Sequence, residues 1–470
     1  MKGRKGERAI RLFPFSHSPF PSVPSSAICA ICVPMRYDMK KYILAIPIIV
    51  AAFFVVRWVA TPNVRPEYDE KGRIIVEWFN YATPEFLELY DKYLIPEFEK
   101  SHPKIKIRLN ASLGDTGYEA KLMTLIAGKI SPDIVHVTQA NFPMLASKGI
   151  LMDINPFVAE DHTFNLEDYF TPVTDGMRFQ GKLYGLPSDF STIVLVYNKD
   201  MFDKCGVSYP DETWDWDKFL RAARKLTKDL DGDGVPDQFG FVNVSSYNRW
   251  PAWVWMNGGD ILSKDLKHCK MDEPKSIEGL RFYVNLSVKE HVAPTATQTL
   301  QGFEQMFMSE RAAMIADSRY AYKSFAKGMN FKWDVAPMPK GSAGRVTTFI
   351  WGGNCILAST KHPKEAWEFL KFLSGKEGAL LNVKAGNAFP AYKKVAVSDA
   401  VLKSPLSPPS DRVFLDAISY GRQAPVPIQY AEYNQAMSKM TEAWAGRKTV
   451  PTVCKQFAKD VNLAVTGEVW

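Results

Sequence analysis

The stretch RWPAWVWMNGGD, residues 249–260, places three tryptophans within six positions and follows them with two glycines. Large flat side chains form either the centre of a hydrophobic core or a platform on which a flat ligand stacks. Gly258 and Gly259 would let the backbone approach such a ligand closely. Three rings on one short helix cannot all face the same way. We therefore expect at least one to be core and at least one, Trp250 or Trp255, to face a ligand.

A second stretch with residues that can do chemistry is DLDGDGVPD, which holds four potential calcium ligands: Asp229, Asp231, Asp233 and Asp237. Their spacing matches loop positions 1, 3, 5 and 9 of an EF-hand, with glycine at position 6. Position 12, where a bidentate Glu is expected, is Gly240, and no helical pattern follows. We favour an acidic hairpin turn and keep a weak calcium site as the alternative. No other cofactor is expected.

Polar and aromatic side chains follow the carboxyl ends of two apolar runs that predict buried strands, and these are Asn80, Tyr81, Gln139 and Asn141. In α/β proteins, ligands bind beyond the carboxyl ends of the strands. These four residues are therefore candidate binding residues, with ordinary turns as the alternative.

The elements that must position these residues alternate along the chain. Apolar runs and amphipathic stretches predict strands at 74–79, 105–109, 134–137 and 193–197 and helices at 277–290 and 362–374. Strands that alternate with helices are typical of a mainly parallel sheet covered by helices. A chain of 470 residues has room for two or three such domains.

The net charge of +7 is confined to the start of the chain. Residues 1–61 contain nine Lys or Arg and two acidic residues, so the remaining chain carries 49 residues of each sign. A nucleic-acid-binding body needs a basic surface, and the composition therefore argues against that partner.

The first 60 residues are expected to target the chain. Residues 1–38 are rich in Pro and Ser without a period, so we expect a disordered leader or one that is not translated, with a start at Met35 or Met39. Residues 39–60 have a positive start and the apolar run 42–56, which suits a signal peptide and is short for a spanning helix of about 20 residues. A cleaved signal peptide and a retained anchor remain open, and both place the body outside the cytoplasm.

Two of the six cysteines lie in the leader, and four are far apart in the body: Cys205, Cys269, Cys355 and Cys454. No CxxC pair remains there, which argues against a zinc site. One or two disulfides and four buried thiols both remain open.

Five stretches of the body, in this order, carry a family resemblance: YEAKLMTLIAGKISPDIVHV (118–137), GKLYGLPSDFSTIVLVYNKDMFDKCGVSYPDETWDWDKFLRAARKLT (181–227), MFMSERAAMIADSRY (306–320), WDVAPMPKG (333–341) and TTFIWGGNCILASTKHPKEAWEFLKFL (347–373). Together they resemble the extracellular solute-binding proteins of carbohydrate ABC importers, the maltose-binding-protein-like group. The resemblance covers nearly all of residues 73–465. Each stretch marks a different point of the family fold, so their common order makes the resemblance specific.

The resemblance implies an α/β protein with two hinged lobes, each a mainly parallel sheet flanked by helices, and a ligand between them. It places the crossings between the lobes near 187–189, 314–318 and 345–351. One lobe would then comprise 73–187 and 316–345, and the other 190–313 and 350–470.

The same resemblance implies binding residues at the crossings and on a loop that reaches the cleft: Asp189, Arg319, Tyr320, Trp351, Gly352, Asn354, Asn387 and Phe389. Trp351 is the first candidate for stacking on a sugar ring, with packing in the hinge as its alternative. Asp189 would accept sugar hydroxyls or cap a strand. Arg319 would bind hydroxyls or an acidic sugar, or form a structural ion pair. Sugar rings present C–H faces to aromatic rings and hydroxyls to polar groups, so both residue types are needed.

The resemblance implies a non-enzymatic, exported monomer that binds a sugar or oligosaccharide and delivers it to the permease subunits of an ABC importer. Specificity would come from a ligand that touches both lobes and so stabilises the closed state. The alternatives are a secreted glycoside hydrolase, for which no pair of catalytic carboxylates is evident, and a sensor that docks on a signalling receptor.

Overall fold

The computed structural model describes residues 66–113, 117–295, 298–299, 302–386, 388–405 and 407–466. The predicted leader at 1–38, the targeting segment at 39–60 and the candidate residue Asn387 lie outside the described residues. Within these ranges, no helix combines the length and the apolar character that crossing a membrane requires.

Three parallel strands begin the body: β1 (Ile74–Ala82), β2 (Ile105–Leu113) and β3 (Ile134–Thr138). β1 pairs with both β2 and β3 and lies between them. Residues 75–80 of β1 are buried without interruption, which is the pattern of a strand covered on both faces. The sequence predicted all three strands, and each continues beyond its predicted end.

Short helices and turns cover these strands: α1 (Pro84–Leu89), a π-helical turn (Tyr90–Leu94), α2 (Ile95–Ser101), α3 (Tyr118–Ala127), α4 (Phe142–Ser147), α5 (Asn155–Glu160), a 3-10 turn (Leu166–Asp168) and α6 (Thr171–Gly176). Five of them start with proline at their first or second position, where its fixed φ suits the helix and its missing N–H is not needed. A small hairpin, β4 (Arg178–Phe179) and β5 (Lys182–Leu183), leads out of this region.

Two long strands connect the two halves of the body. β6 (Gly185–Asn198) and β9 (Thr347–Ile356) run antiparallel to each other, and the second half of β9 also pairs with β3. Residues 193–198 of β6 pair instead with β7 (Met314–Ser318) and β8 (Trp333–Ala336), which lie on either side of it. Both long strands therefore serve as the hinge region.

The remaining elements are mainly helices: α7 (Lys199–Lys204), α8 (Trp216–Leu226), α9 (Trp250–Met256), α10 (Pro274–Val288), α11 (Phe303–Met308), a 3-10 turn (Arg319–Ala321), α12 (Tyr322–Gly328), α13 (Pro363–Ser374), α14 (Lys376–Lys384), β10 (Phe389–Pro390), α15 (Lys393–Ala396), α16 (Asp399–Leu402), α17 (Arg412–Asp416), a 3-10 turn (Ala417–Tyr420), β11 (Gly421–Gln423), α18 (Tyr430–Lys439), α19 (Thr441–Trp444) and α20 (Val450–Thr466). The helices predicted at 277–290 and 362–374 are confirmed as α10 and α13.

Strand pairing corrects the predicted crossing at 314–318. β7 and β8 both hydrogen-bond to residues 193–198 of β6, so the segment 316–345 stays with 190–313 and does not return to the first lobe. In this second lobe β7 and β8 run antiparallel to β6, whereas β1 to β3 have the parallel arrangement that was expected.

Aromatic packing also corrects the expectation that all of residues 350–470 belong to the second lobe. Phe369 of α13 lies edge-on to Trp78 of β1, with ring centroids 5.4 Å apart, and to Phe98 at 4.8 Å. α13 and α14 therefore belong to the first lobe, together with β10. The chain returns to the second lobe only in the segment that leads into α17, whose Phe414 carbonyl accepts a hydrogen bond from Thr192.

Candidate functional site

A cavity of about 550 Å³ lies between the lobes, at the sheet edge where β1 and β3 end. Its volume is in the range of small-molecule sites, roughly 300–1,000 Å³. First-lobe and hinge residues form most of its wall, and Tyr247, Asn248 and Tyr320 come from the second lobe. The lining residues are Trp78, Asn80, Tyr81, Thr83, Phe86, Tyr90, Leu94, His136, Thr138, Gln139, Ala140, Ser188, Asp189, Tyr247, Asn248, Tyr320, Ile350, Trp351, Gly352, Asn354, Leu373, Gly378, Leu381 and Asn382.

Eight predicted binding residues lie at this cavity: Asn80, Tyr81, Gln139, Asp189, Tyr320, Trp351, Gly352 and Asn354. Three of them, Asn80, Tyr81 and Gln139, were chosen because they lie at strand ends, and the cavity is at that edge of the sheet. Whether each residue contacts a ligand stays a prediction.

Asp189 is the one carboxylate among the lining residues, and it is 8% exposed. Tyr320 donates its hydroxyl to Asp189 Oδ1, which connects the second lobe to the hinge strand. Burial raises the pKa of Asp189 to about 6, and the hydrogen bond from Tyr320 opposes that rise. Oδ2 is not used in this bond, so it is available to accept a hydrogen bond from a ligand.

A second polar contact joins the lobes directly. Gln139 Nε2 donates to the hydroxyl of Tyr247 at 3.3 Å. Gln139 is 2% exposed, and its Oε1 is buried without a hydrogen-bond partner among the described residues. A buried acceptor without a partner costs free energy, and a ligand hydroxyl would satisfy it.

His136 lies deeper in the wall. Burial lowers its pKa to about 4, so the imidazole is neutral at physiological pH. The ring of Tyr81 lies edge-on to it at 4.9 Å, and its Nε2 has no hydrogen-bond partner in the part of the chain that the structure describes. Gly352 permits this arrangement, because a Cβ there would lie 3.0 Å from His136 Cε1.

Trp78 and Asn354 form a fixed part of the wall. Trp78 Nε1 donates to Asn354 Oδ1 at 3.2 Å, and Asn354 Nδ2 donates to Ser188 Oγ at 2.8 Å. The ring of Tyr90 packs on Trp78 at 4.7 Å. Both ends of the Asn354 amide are thus occupied by protein groups, so Asn354 orients Trp78 and Ser188.

Trp351 does not serve as the expected stacking platform. Successive strand residues point to opposite faces, so its side chain is on the other side of β9 from Gly352 and Asn354. The indole is 3% exposed, donates from Nε1 to Gln423 Oε1 at 3.0 Å, and meets the ring of Phe142 at 5.8 Å. The alternative, packing in the hinge, is the one the structure supports.

The tryptophan helix also differs from expectation. All seven residues of α9 are buried in the second-lobe core, and Trp250 is 1% exposed. Trp255 donates from Nε1 to Asp260 at 3.0 Å, and Arg422 covers its ring at 4.4 Å. The expectation that Trp250 or Trp255 faces the ligand is therefore wrong, because every face of this short helix packs against protein.

The two glycines after α9 have packing roles instead of ligand contacts. Gly259 lies against the backbone of α10, where a Cβ would come 2.6 Å from Ser276 Cα. Gly258 has φ +77°, a conformation that favours glycine at the end of a helix. Neither glycine lines the cavity.

Three further candidates lie away from the cavity lining. Asn141 precedes α4 and accepts from the Thr138 backbone N–H at 3.0 Å, so it stabilises the turn. Arg319 forms the structural ion pair that was its alternative, at 3.2 Å from Asp411. Phe389 is fully buried, and the Arg319 guanidinium lies 4.7 Å from its ring.

The sequence argument missed several lining residues. Tyr247 and Asn248 directly precede the tryptophan helix. The sequence argument therefore pointed to this part of the chain but selected Trp250 and Trp255 instead of these two residues. Phe86 and Tyr90 lie on the short helical segments that follow β1 and also line the cavity. A hydroxyl-bearing aromatic beside an amide, just before a buried helix, was the available signal.

The acidic stretch is a hairpin turn, as favoured. Lys228 and Gln238 form an antiparallel bridge at its base. Asp229 accepts from the backbone N–H groups of Gly232 and Gly234 at 2.7 and 2.9 Å, so turn geometry accounts for its position. Exposed carboxylate oxygens approach within 4.8 Å of one another in a set that excludes Asp233: Asp229, Asp231 and Asp237. Calcium binding stays a prediction.

The four cysteines of the body are free thiols, so the structure favours that alternative over disulfides. Three of them are buried, and burial raises the pKa of Cys269 and Cys454 to about 12. Cys205 is half-buried.

The cavity thus offers aromatic surfaces and hydrogen-bonding groups but a single carboxylate. A glycoside hydrolase needs two opposed carboxylates about 5–10 Å apart at the scissile bond. The lining residues, all within the described ranges, do not supply the second one. The arrangement suits binding of a polyhydroxylated molecule.

The comparison with protein families matches residues 83–380 to the model of the bacterial extracellular solute-binding protein family. The arabinooligosaccharide-binding protein of Bacillus subtilis is 26% identical over 60% of this chain and 66% of that protein. The maltotriose-binding protein of Pyrococcus abyssi is 22% identical over 80% of this chain and 76% of that protein.

Among solved structures, an ABC substrate-binding protein from Listeria monocytogenes in complex with cycloalternan matches with a TM-score of 0.73. It is 26% identical, and the match covers 83% of this chain and 98% of that one. The match extends over nearly the whole of the Listeria protein, and this confirms the expected two-lobed α/β fold.

Proposed function

Since this chain belongs to the family of bacterial extracellular solute-binding proteins, we propose that it is the receptor of a carbohydrate ABC importer. It binds an oligosaccharide between its lobes and hands it to the permease. The family consists of binding proteins, so the chain is not an enzyme. It acts outside the cytoplasm, as the family description states.

The observation that carries this proposal is the polar and aromatic composition of a cavity lined from both lobes. Tyr81, Phe86, Tyr247 and Tyr320 offer ring surfaces for the C–H faces of sugars. Asp189 and polar lining groups such as the Gln139 amide offer partners for hydroxyls. Because groups from each lobe take part, a bound sugar stabilises the closed arrangement that a permease recognises.

The relatives support a sugar as the ligand. Two curated relatives are named for arabinooligosaccharide and maltotriose binding, and a structural relative was solved with cycloalternan. Each of these ligands is the ligand of the relative. For this chain, the shared fold and the composition of the cavity support an oligosaccharide without naming it.

Export and anchoring are part of the proposal. Residues 39–60 carry the chain across the membrane, either as a cleaved signal peptide or as a retained anchor, with translation starting at Met35 or Met39. The receptor acts as a monomer that docks on the permease. Mass spectrometry of the natural protein tests this part, since a peptide from residues 12–35 would contradict the late start.

A thermal-shift screen across mono- and oligosaccharides tests the binding function. A ligand that binds only the folded state at 100 times its Kd stabilises it by about 2.7 kcal/mol. We expect at least one oligosaccharide to raise Tm by several degrees. If no sugar shifts Tm while an amino acid or a peptide does, carbohydrate is the wrong ligand class.

The same samples test the absence of catalysis. Each oligosaccharide that raises Tm is incubated with the protein and then separated by chromatography. A receptor returns it uncut. Cleavage that disappears in the Asp189→Asn variant would point to a hydrolase.

A further inference from the structure

We infer that the sugar bound by this site carries no negative charge, and that Asp189 is the residue that excludes acidic sugars. This inference rests on the proposed function and names the chemical class of its ligand. Its basis is the charge and the hydrogen-bonding capacity of the groups that face the cavity.

The lining contains no cation that could pair with an anionic ligand. None of the residues around the cavity, all of which the structure describes, is Lys or Arg. His136 is buried and neutral at physiological pH, so it does not supply a positive charge. An ionised sugar carboxylate or sulfate would therefore be buried without a charged partner, which is strongly unfavourable.

Two arginines are adjacent in sequence to lining residues, and both are already paired. Arg249 follows Asn248 but donates to Asp317 Oδ1 at 2.6 Å and to the Ala316 carbonyl at 3.1 Å. This pair is buried, since the Arg249 and Asp317 side chains are 9% and 1% exposed. The guanidinium therefore does not offer its charge to the cavity.

The second arginine, Arg319, precedes the lining residue Tyr320. Its guanidinium pairs with buried Asp411 and packs on the ring of Phe389. The earlier option that Arg319 binds an acidic sugar is thus excluded by its partners.

Two hydrogen-bonding atoms at the cavity are suited to a ligand that donates a hydrogen bond. Asp189 Oδ2 and the unpartnered Gln139 Oε1 are acceptors. Asn248 Oδ1 accepts from Ser246 Oγ at 2.6 Å and from Arg249 Nη1 at 2.8 Å, so its Nδ2 is a neutral donor. Hydroxyls and amines satisfy acceptors, whereas a carboxylate or a sulfate only accepts.

The experiment measures Tm and affinity for sugars matched in linkage and length. The panel pairs galactotriose with trigalacturonic acid and cellotriose with its glucosamine trimer, and adds maltotriose and arabinotriose. We expect neutral or amino members to raise Tm and the acidic trimer to bind at least tenfold more weakly than its neutral counterpart. In Asp189→Asn, this ratio should fall toward one. Asp217→Asn removes the same charge from an exposed position on α8 and should leave the ratio unchanged.

Three outcomes would overturn the inference. Tighter binding of trigalacturonic acid than of galactotriose would show that the site accepts negative charge. An unchanged ratio in Asp189→Asn would remove Asp189 as its cause. If no sugar shifts Tm while an amino acid or a peptide does, the proposed function fails and this inference fails with it. A preference for the acidic trimer, in contrast, contradicts the inference but leaves sugar binding intact.

Discussion

The end of β1 and the helix α9 are both rich in aromatic residues, yet they have different roles. Tyr81 lies near the end of this strand and borders the cavity beside Asn80. The tryptophans of α9 are surrounded by other core rings. The ring centroid of Trp253, for example, lies 5.2 Å from that of Tyr283 and 5.6 Å from that of Phe282. Position relative to the sheet edge therefore decides which aromatic cluster forms a site.

The polar atoms of the two regions differ in the same way. Around the cavity, tyrosine hydroxyls connect to Gln139 and Asp189 and can exchange these bonds for bonds to a ligand. In α9, the Nε1 of Trp253 is buried with no hydrogen-bond partner among the described residues. That ring contributes packing alone, and a ligand cannot reach it.

The largest effect should come from the core cluster. Trp253→Ala removes a fully buried indole and leaves a cavity, which costs about 3–5 kcal/mol of unfolding free energy. Chemical denaturation should show unfolding at a lower denaturant concentration. At low temperature, where the variant is still folded, it should bind the same sugars as the unchanged protein. Loss of sugar affinity with unchanged stability would contradict the assignment of α9 to the core.

Asp189→Asn should have the opposite effect, because it should lower the affinity for the sugar without lowering the stability of the fold. Loss of a hydrogen bond to a charged group costs about 1.5–3 kcal/mol of binding, roughly a 10- to 150-fold loss of affinity by titration calorimetry. Stability should not fall at pH 7.5. The raised pKa means that the folded state disfavours ionised Asp189 above pH 6, so the neutral amide should leave Tm unchanged or higher. A marked drop in Tm would indicate a structural role for the carboxylate.

Acid should weaken sugar binding through the same group. Ligand hydroxyls that donate to Asp189 stabilise its ionised form, so the pKa in the complex is below the value of about 6 in the free protein. Affinity should be constant above pH 7 and fall as pH drops below 6, by up to about tenfold at pH 5. His136, with its pKa near 4, stays neutral over this range. Calorimetry from pH 7.5 to 5 checks this, and Asp189→Asn should show a flat profile.

The strands and helices could be predicted because their signals are local. β-branched runs gave β1, β2 and β3, and helical spacing gave α10 and α13. The lobe boundaries could not be predicted, because they depend on whether β7 pairs with β6 or returns to the first lobe. That choice is made by contacts between residues more than 100 positions apart, such as Val196 and Ile315.

The residues that line the cavity could be predicted in part from the sequence. The argument from strand ends chose Asn80 and Gln139, and both line the cavity. Trp351 was misjudged although the information was present, since a strand alternates its side chains and Trp351 cannot share a face with Gly352 and Asn354. Tyr247 was harder to find, because it lies outside the helices and strands and its place at the cavity depends on how the second lobe packs.

The smallest effect separates the two regions most sharply. Tyr247→Phe keeps the ring at the cavity but removes the hydroxyl that accepts from Gln139, which should cost about 0.5–1.5 kcal/mol of sugar binding, or roughly 2- to 12-fold in Kd. Trp255→Phe, the matched change in α9, removes the indole N–H that Asp260 accepts and should leave Kd unchanged while lowering Tm. Calorimetry and thermal unfolding of both variants give four values. A Kd that responds to Trp255 and not to Tyr247 would reverse the assignment, because it would make the tryptophan helix part of the site.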